Sequence, residues 1–263
     1  MRGMAAMGAA GWVLASCVLP AGAEAPAAEA AVVTEVIDGD TVRLADGRQV
    51  RLVGIQAPKL ALGRPGFEPW PLADAAKATL TALSQSGPLS LRPANPAPDR
   101  HGRMLADAYD PAGRWLQGEM VARGMARVYS FADQVASPEG AGSVEDLLVL
   151  ERRARAGRLG IWDLAFYRVR GVTETPHFID SFQLVEGKVR RVAKNRNDVY
   201  LDFGDDWRTD FSVFAPRAVL AACARAGLDL ESLAGQTIRV RGWLKWRSGP
   251  MIELSHPQQI EHP

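Results

Sequence analysis

Two cysteines, four histidines and a single net charge are what this 263-residue sequence has least of, and each shortage closes off a class of protein. Cys17 and Cys223 are the only thiols. With Cys17 removed or modified no internal disulfide is left, so a disulfide framework is excluded even for an exported chain. Cys223, in the small-residue stretch PRAVLAACARAGLD, is expected as inert helix packing. His101, His177, His256 and His262 show no metal-ligand spacing, which argues against zinc. Lys and Arg total 31 against 30 Asp and Glu. No general coat of positive charge is present for non-specific polyanion binding, and any such site must come from local clustering.

What is there begins with an export pattern. Arg2 is a minimal positive region, Met4 to Leu19 an apolar run shorter than the ~20 residues that span a bilayer, and Ala21-Gly22-Ala23 an A-x-A cleavage site. Residues 1–23 therefore read as a signal peptide and 24–31 as an Ala/Pro/Glu-rich spacer. The mature chain would carry no transmembrane span and would be periplasmic or extracellular. Two alternatives stay open: an uncleaved anchor, or lipidation at Cys17, since Leu14-Ala15-Ser16-Cys17 loosely resembles a bacterial lipoprotein box.

The remainder divides into two mainly β units with helices, an α+β composition. From Val32 to Tyr109 alternating runs predominate, with Asp46-Gly47 a strong hairpin dipeptide. A helix is expected over PLADAAKATLTALSQSG, stopped by Gly87-Pro88, and a short one over WLQGEMVARG, closed by Gly124. Ser143 with Asp146 three residues on forms a capping-box variant ahead of a leucine-faced helix. A linker is placed at 169–181. From 182 to 263 the order is three strands, a helix from Pro216 to Ala226 and two strands, the order of a small OB-type Greek-key barrel.

Within the first unit, placed at 32–168, several motifs in order make about residues 32–163 resemble the staphylococcal (thermo)nuclease family: VIDGDTVRL, RLVGIQAPK, DRHGRMLADAY, LQGEMVARGMARVY and RARAGRLGIW. The resemblance implies a five-stranded OB barrel with helices that cleaves DNA and RNA using calcium. Hydrolysis of a phosphodiester takes an activated water, a cation on the phosphoryl oxygens and donors for the developing charge. The resemblance gives Asp40 as a calcium ligand and Arg51 and Arg103 as the phosphate clamp, whose forks suit paired oxygens. Asp38 and Thr41 belong to the same hairpin and shape its turn, and Thr41 is also a ligand-binding candidate beside Lys59.

The same stretch departs from the family at three positions. Gln56 stands where a second calcium-binding aspartate is expected, Ala57 where a threonine is, and Lys59 where the general base is. Calcium wants about six to eight oxygen ligands and gains from carboxylate charge. A lysine ammonium, with an unperturbed pKa near ~10.4, cannot take a proton from water at neutral pH. The expectation is a protein that binds nucleic acid or a phosphate ligand with lost or impaired hydrolysis and no resident cofactor, Lys59 standing in for the metal's charge. Calcium is expected only if activity is retained. The alternatives are an active nuclease with an altered metal site, in which Glu68 or Asp74 substitutes for the base, and an envelope module with protein or glycan partners.

The C-terminal unit adds RVRGWLKWRSG. Arg239, Arg241, Lys245 and Arg247 interleave with Trp243 and Trp246, the combination of charge and stacking surface that single-stranded nucleic-acid binders use. Arg241, Trp243 and Lys245 are the ligand-binding candidates, against the plainer reading of core tryptophans and edge-protecting cations. Asp202, Asp205, Asp206 and Asp210 on neighbouring strands would weaken a polyanion surface.

Overall fold

The computed structural model describes residues 28–94, 97–130 and 143–263. The signal-peptide and Cys17 readings lie outside the described residues. Among those described, no helix is long and apolar enough to cross a membrane.

The fold is mixed α/β and built on two sheets, each over its own apolar cluster. The first contains the antiparallel meander β2 (Val33–Asp38), β3 (Thr41–Leu44) and β4 (Gln49–Leu52). The short β5 (Ile55–Gln56) and helix α1 (Ala73–Ser84) follow, then β6 (Leu89–Pro93) and β7 (Met104–Tyr109). β7 returns parallel to β4, which is the contact that curls such a sheet. Val42, Leu52, Ile55, Leu80, Leu89, Leu91 and Met120 are wholly buried beneath it. The spacer expected to reach Ala31 is in part a strand: β1 (Glu29–Ala31) pairs antiparallel with β6, because that edge of β6 is otherwise open. Helix α2 (Leu116–Ala122), strand β8 (Arg127–Val128), which pairs with β5, and helix α3 (Val144–Ala156) complete the unit. Ser143 and Asp146 form the expected reciprocal cap at the start of α3.

The second sheet holds β9 (Arg170–Gly171), β10 (Ser181–Lys188), β11 (Arg191–Asn195), β12 (Asp198–Asp202), β13 (Ser212–Ala215), β14 (Thr237–Trp246), β15 (Pro250–Glu253) and β16 (Ile260–Glu261). Helix α4 (Arg217–Arg225) falls between β13 and β14, with Gly227 at positive φ just past its end. The strand order repeats that of the first sheet, including one parallel contact between a third-strand segment, β13, and the last hairpin strand, β15. The segment expected as a linker is ordered: β9 pairs parallel with β10, and a 3-10 helix over Val172–Phe178 carries a fully buried Thr175. Cys223 is buried on α4 and free.

A charged joint fastens the two sheets together. From β14, Arg241 reaches the Val128 carbonyl at 3.1 Å and both carboxylate oxygens of Glu151 on α3 at 3.0 Å, and it holds Glu261 at 2.6 Å. Arg155 pairs with the same Glu261 at 2.8 Å. Glu151 also accepts from the Val128 amide at 2.6 Å. Alternation does place Arg239, Arg241 and Trp243 on one face of β14, but that face is where the first unit sits. Arg241 is 1% exposed, so its assignment as a surface ligand-binding residue is corrected to that of a buried joint.

Candidate phosphate-binding site

The β2–β3 hairpin is shaped by Asp38, whose carboxylate accepts from the Asp40 amide at 3.0 Å. Gly39 has an ordinary φ. It is demanded by space, because a Cβ there would lie 2.6 Å from Ala57 Cβ and 2.7 Å from Ala76 Cβ. The hairpin thus presses against α1 and the chain after β5, which is how Asp40 comes to face Lys59.

Asp40 is fully buried. Its carboxylate accepts from the Ala57 amide at 2.8 Å and the Thr41 hydroxyl at 3.1 Å. Lys59 Nζ lies 2.9 and 2.7 Å from its two oxygens, and Arg51 contacts it at 3.4 Å. Burial by itself would raise the Asp40 pKa, but the charges of Arg51 and Lys59 outweigh it and hold the carboxyl far below the usual range. Burial and the neighbouring Asp40 charge raise the pKa of Asp38, which sits 3.5 Å from Lys59 Nζ. Thr41 is 2% exposed and links the cluster to Arg103, which approaches its hydroxyl at 3.5 Å.

The two arginines are held differently. Arg51 is pinned by the Leu52 carbonyl and, at 2.6 Å, by the Ile55 carbonyl. Arg103 is oriented by Asp99, whose one oxygen takes Arg103 Nε and the terminal NH2 at 2.9 and 2.7 Å while the other caps the loop amides of His101 and Arg103. Asp99 is absent from the sequence-derived candidates. Its place at the head of a D-x-H-G-R loop is an Asx-turn signal that would have found it.

Gln56 is turned away from Asp40. Its side-chain oxygen accepts from Arg127 Nε at 2.9 Å and NH2 at 2.6 Å, across the β5–β8 pairing. Burial pushes the Arg127 guanidinium down to about 10, and its plane lies over the Phe182 ring. Glu68 is exposed in the loop before α1 and Asp74 on its first turn; among the described residues no hydrogen bond or ion pair joins either to the cluster. This donor set does not fit calcium. Both oxygens of Asp40 face an ammonium, and the Gln56 side-chain oxygen serves Arg127, leaving far fewer than the oxygens a calcium ion needs.

Arg51 and Arg103 open on a cleft of about 660 Å³, which Asp99, Arg100, His101, Tyr129, Trp243 and Lys245 also line. Two groups of candidates far apart in sequence, the arginine clamp and the Trp243/Lys245 stretch, therefore share one wall system. Tyr129, which donates no obvious signal in the sequence, accepts from Trp243 Nε1 at 2.8 Å.

The segment 49–164 matches the family model described as staphylococcal nuclease homologue. An uncharacterized endonuclease of Escherichia coli O157:H7 is 32% identical over 135 residues, 49% of this chain and 74% of that protein. The chain belongs to the staphylococcal nuclease family. A second uncharacterized endonuclease, from Escherichia coli, is 31% identical over the same shares of the two chains. Protein ParB of Escherichia coli is 29% identical over 177 residues, 63% of this chain and 81% of that protein. In this staphylococcal nuclease family member Arg51, Lys59 and Arg103 all lie inside the matched segment.

Proposed function

We propose that this family member binds a phosphodiester at Arg51 and Arg103 without a divalent ion, and that hydrolysis by the calcium route is lost or strongly impaired. The observation that carries the reading is the Lys59 ammonium seated on both oxygens of Asp40. It supplies in covalent form the positive charge that an ion would bring, and it occupies the position from which a carboxylate would activate water. Membership of a nuclease family supports nucleic acid as the ligand class. The N-terminal pattern supports an exported protein.

A second reading, an active phosphodiesterase with an altered site, is favoured by the endonuclease names of the relatives and by both arginines being present. The two separate in one experiment on the purified mature chain, with labelled single-stranded DNA and millimolar calcium, with and without chelator. The proposal expects phosphate-competable binding that survives chelator, is lost in Arg103→Ala, and is accompanied by no cleavage. Chelator-sensitive cleavage abolished by Asp40→Ala would establish the second reading instead. Failure of every nucleic acid to bind at low salt, where phosphate contacts are strongest, would leave an envelope interaction module with a protein or glycan partner.

A further inference from the structure

The cleft has a wall that the family-matched segment does not supply. Arg51, Arg100, His101, Arg103 and Tyr129 lie within residues 49–164, whereas Trp243 and Lys245 come from β14, well past its end. Trp243 is 40% exposed, yet its indole nitrogen is fixed on the Tyr129 hydroxyl at 2.8 Å. The Tyr129 ring is itself packed on Phe182, with centroids 4.7 Å apart. An exposed tryptophan held at its polar edge has already given up rotamer freedom, so a planar ligand meets a fixed surface. Lys245 is the next residue on the same side of the strand and is exposed, with no carboxylate partner among the described residues. Among the described residues the only carboxylate lining the cleft is Asp99, and it is committed to Arg103. The aspartates expected to weaken this surface line other cavities: Asp202 one, and Asp205, Asp206 and Asp210 another.

We propose that Trp243 and Lys245 form a base-stacking subsite for the nucleotide adjoining the phosphate held at Arg51 and Arg103. The cleft then takes an unpaired strand across both sheets, and the C-terminal unit sets its preference for single strands longer than one nucleotide. A duplex keeps its base faces within its own stack and offers nothing to an indole, whereas an open strand presents a face to it and a phosphate to each cation. The proposal rests on the phosphate reading of the preceding subsection.

The test uses the full chain with two probes, thymidine monophosphate and a labelled oligothymidylate of about eight nucleotides, within the usual site size for such folds. The expected result is that Trp243→Ala lowers the ratio of oligonucleotide to mononucleotide affinity about 10-fold, the stacking contribution of one base, while Trp243→Phe keeps most of it. Oligonucleotide binding should quench tryptophan emission in the parent protein and much less in Trp243→Phe. Lys245→Ala should flatten the salt dependence by about one phosphate contact. An unchanged ratio in Trp243→Ala, or duplex binding as tight as single-strand binding, overturns the subsite while the phosphate reading stands. A parent protein that binds neither probe, or an Arg103→Ala variant that binds both as the parent does, overturns the phosphate reading and the subsite with it.

Discussion

Replacing Lys59 by methionine keeps most of the stem's volume and deletes the charge opposite Asp40. At the 2.7 Å separation the gross attraction is ~6 kcal/mol for an effective dielectric constant near ~20. The net loss is smaller, because Asp40 keeps the Ala57 amide, the Thr41 hydroxyl and, at 3.4 Å, Arg51. Breaking one side of a buried pair costs ~3–5 kcal/mol. The Lys59 side chain is 21% exposed, and with the remaining partners the expected loss is about 2–3 kcal/mol at pH 7. For a chain of this size that lowers Tm by about 4–6 °C. Thermal and urea unfolding of Lys59→Met, Asp40→Asn and the double variant should show a coupling energy of about 2 kcal/mol. The pH dependence has a definite sign. The folded pKa of Asp40 lies below its ordinary value of 3.8, so the stabilisation is complete above ~4 and is lost as pH falls toward the folded value. The gap between parent and Lys59→Met should therefore narrow below ~pH 4. A loss under ~0.5 kcal/mol, the size of an exposed pair, or a gap that does not change at acid pH, refutes the reasoning.

Placing carboxylates where the resemblance implies them, with Gln56→Asp and Lys59→Glu, should create calcium affinity measurable by calorimetry. Calcium at a hundred times Kd should then stabilise that variant by about 2.7 kcal/mol and the parent not at all; no heat of binding would mean that the loop geometry itself has diverged. Arg241→Ala leaves the buried Glu151 and Glu261 with Arg155, at 3.7 and 2.8 Å, in place of the closer Arg241 fork, and urea unfolding should show a loss of ~3 kcal/mol, with a loss under ~1 kcal/mol counting against the buried joint. Asp107 accepts from Trp115 and Gln117 at 3.0 and 3.1 Å, and burial raises its pKa to about 6. The native state therefore holds a proton that the unfolded chain releases between ~4 and ~6, and stability falls as pH rises through that window. Asp107→Asn should raise stability by about 1–2 kcal/mol at pH 7 and bring no gain near pH 4, as read by Tm against pH.

Much of the local structure was legible because its causes lie within a few residues. The hairpins at Asp38–Thr41 and around Asp46-Gly47, the Ser143–Asp146 cap and the stop after α4 follow from turn chemistry and capping. Strand β1 was missed since EAA carries no alternation, and it forms only because the β6 edge is open to it. α1 starts at Ala73, two residues after Pro71, and its N-cap Leu72 has φ 66° and no capping side chain.

The sequence by itself determined the family and most of the order of strands and helices, and it placed a lysine ammonium at position 59, where the resemblance leads one to expect a base. Only the tertiary structure decided what that ammonium does, because Asp40 lies nineteen residues away and meets Lys59 only where Gly39 lets the hairpin close on Ala57 and Ala76. The same holds for Gln56 with Arg127, 71 residues apart, and for Trp243 with Tyr129, 114 residues apart. Alternation told which residues of β14 share a face, but not that Arg241 would be covered by α3 while Trp243 and Lys245 stayed open to the cleft. Dihedral preferences and turn hydrogen bonds act along the chain, whereas burial and charge pairing are fixed only when distant surfaces meet.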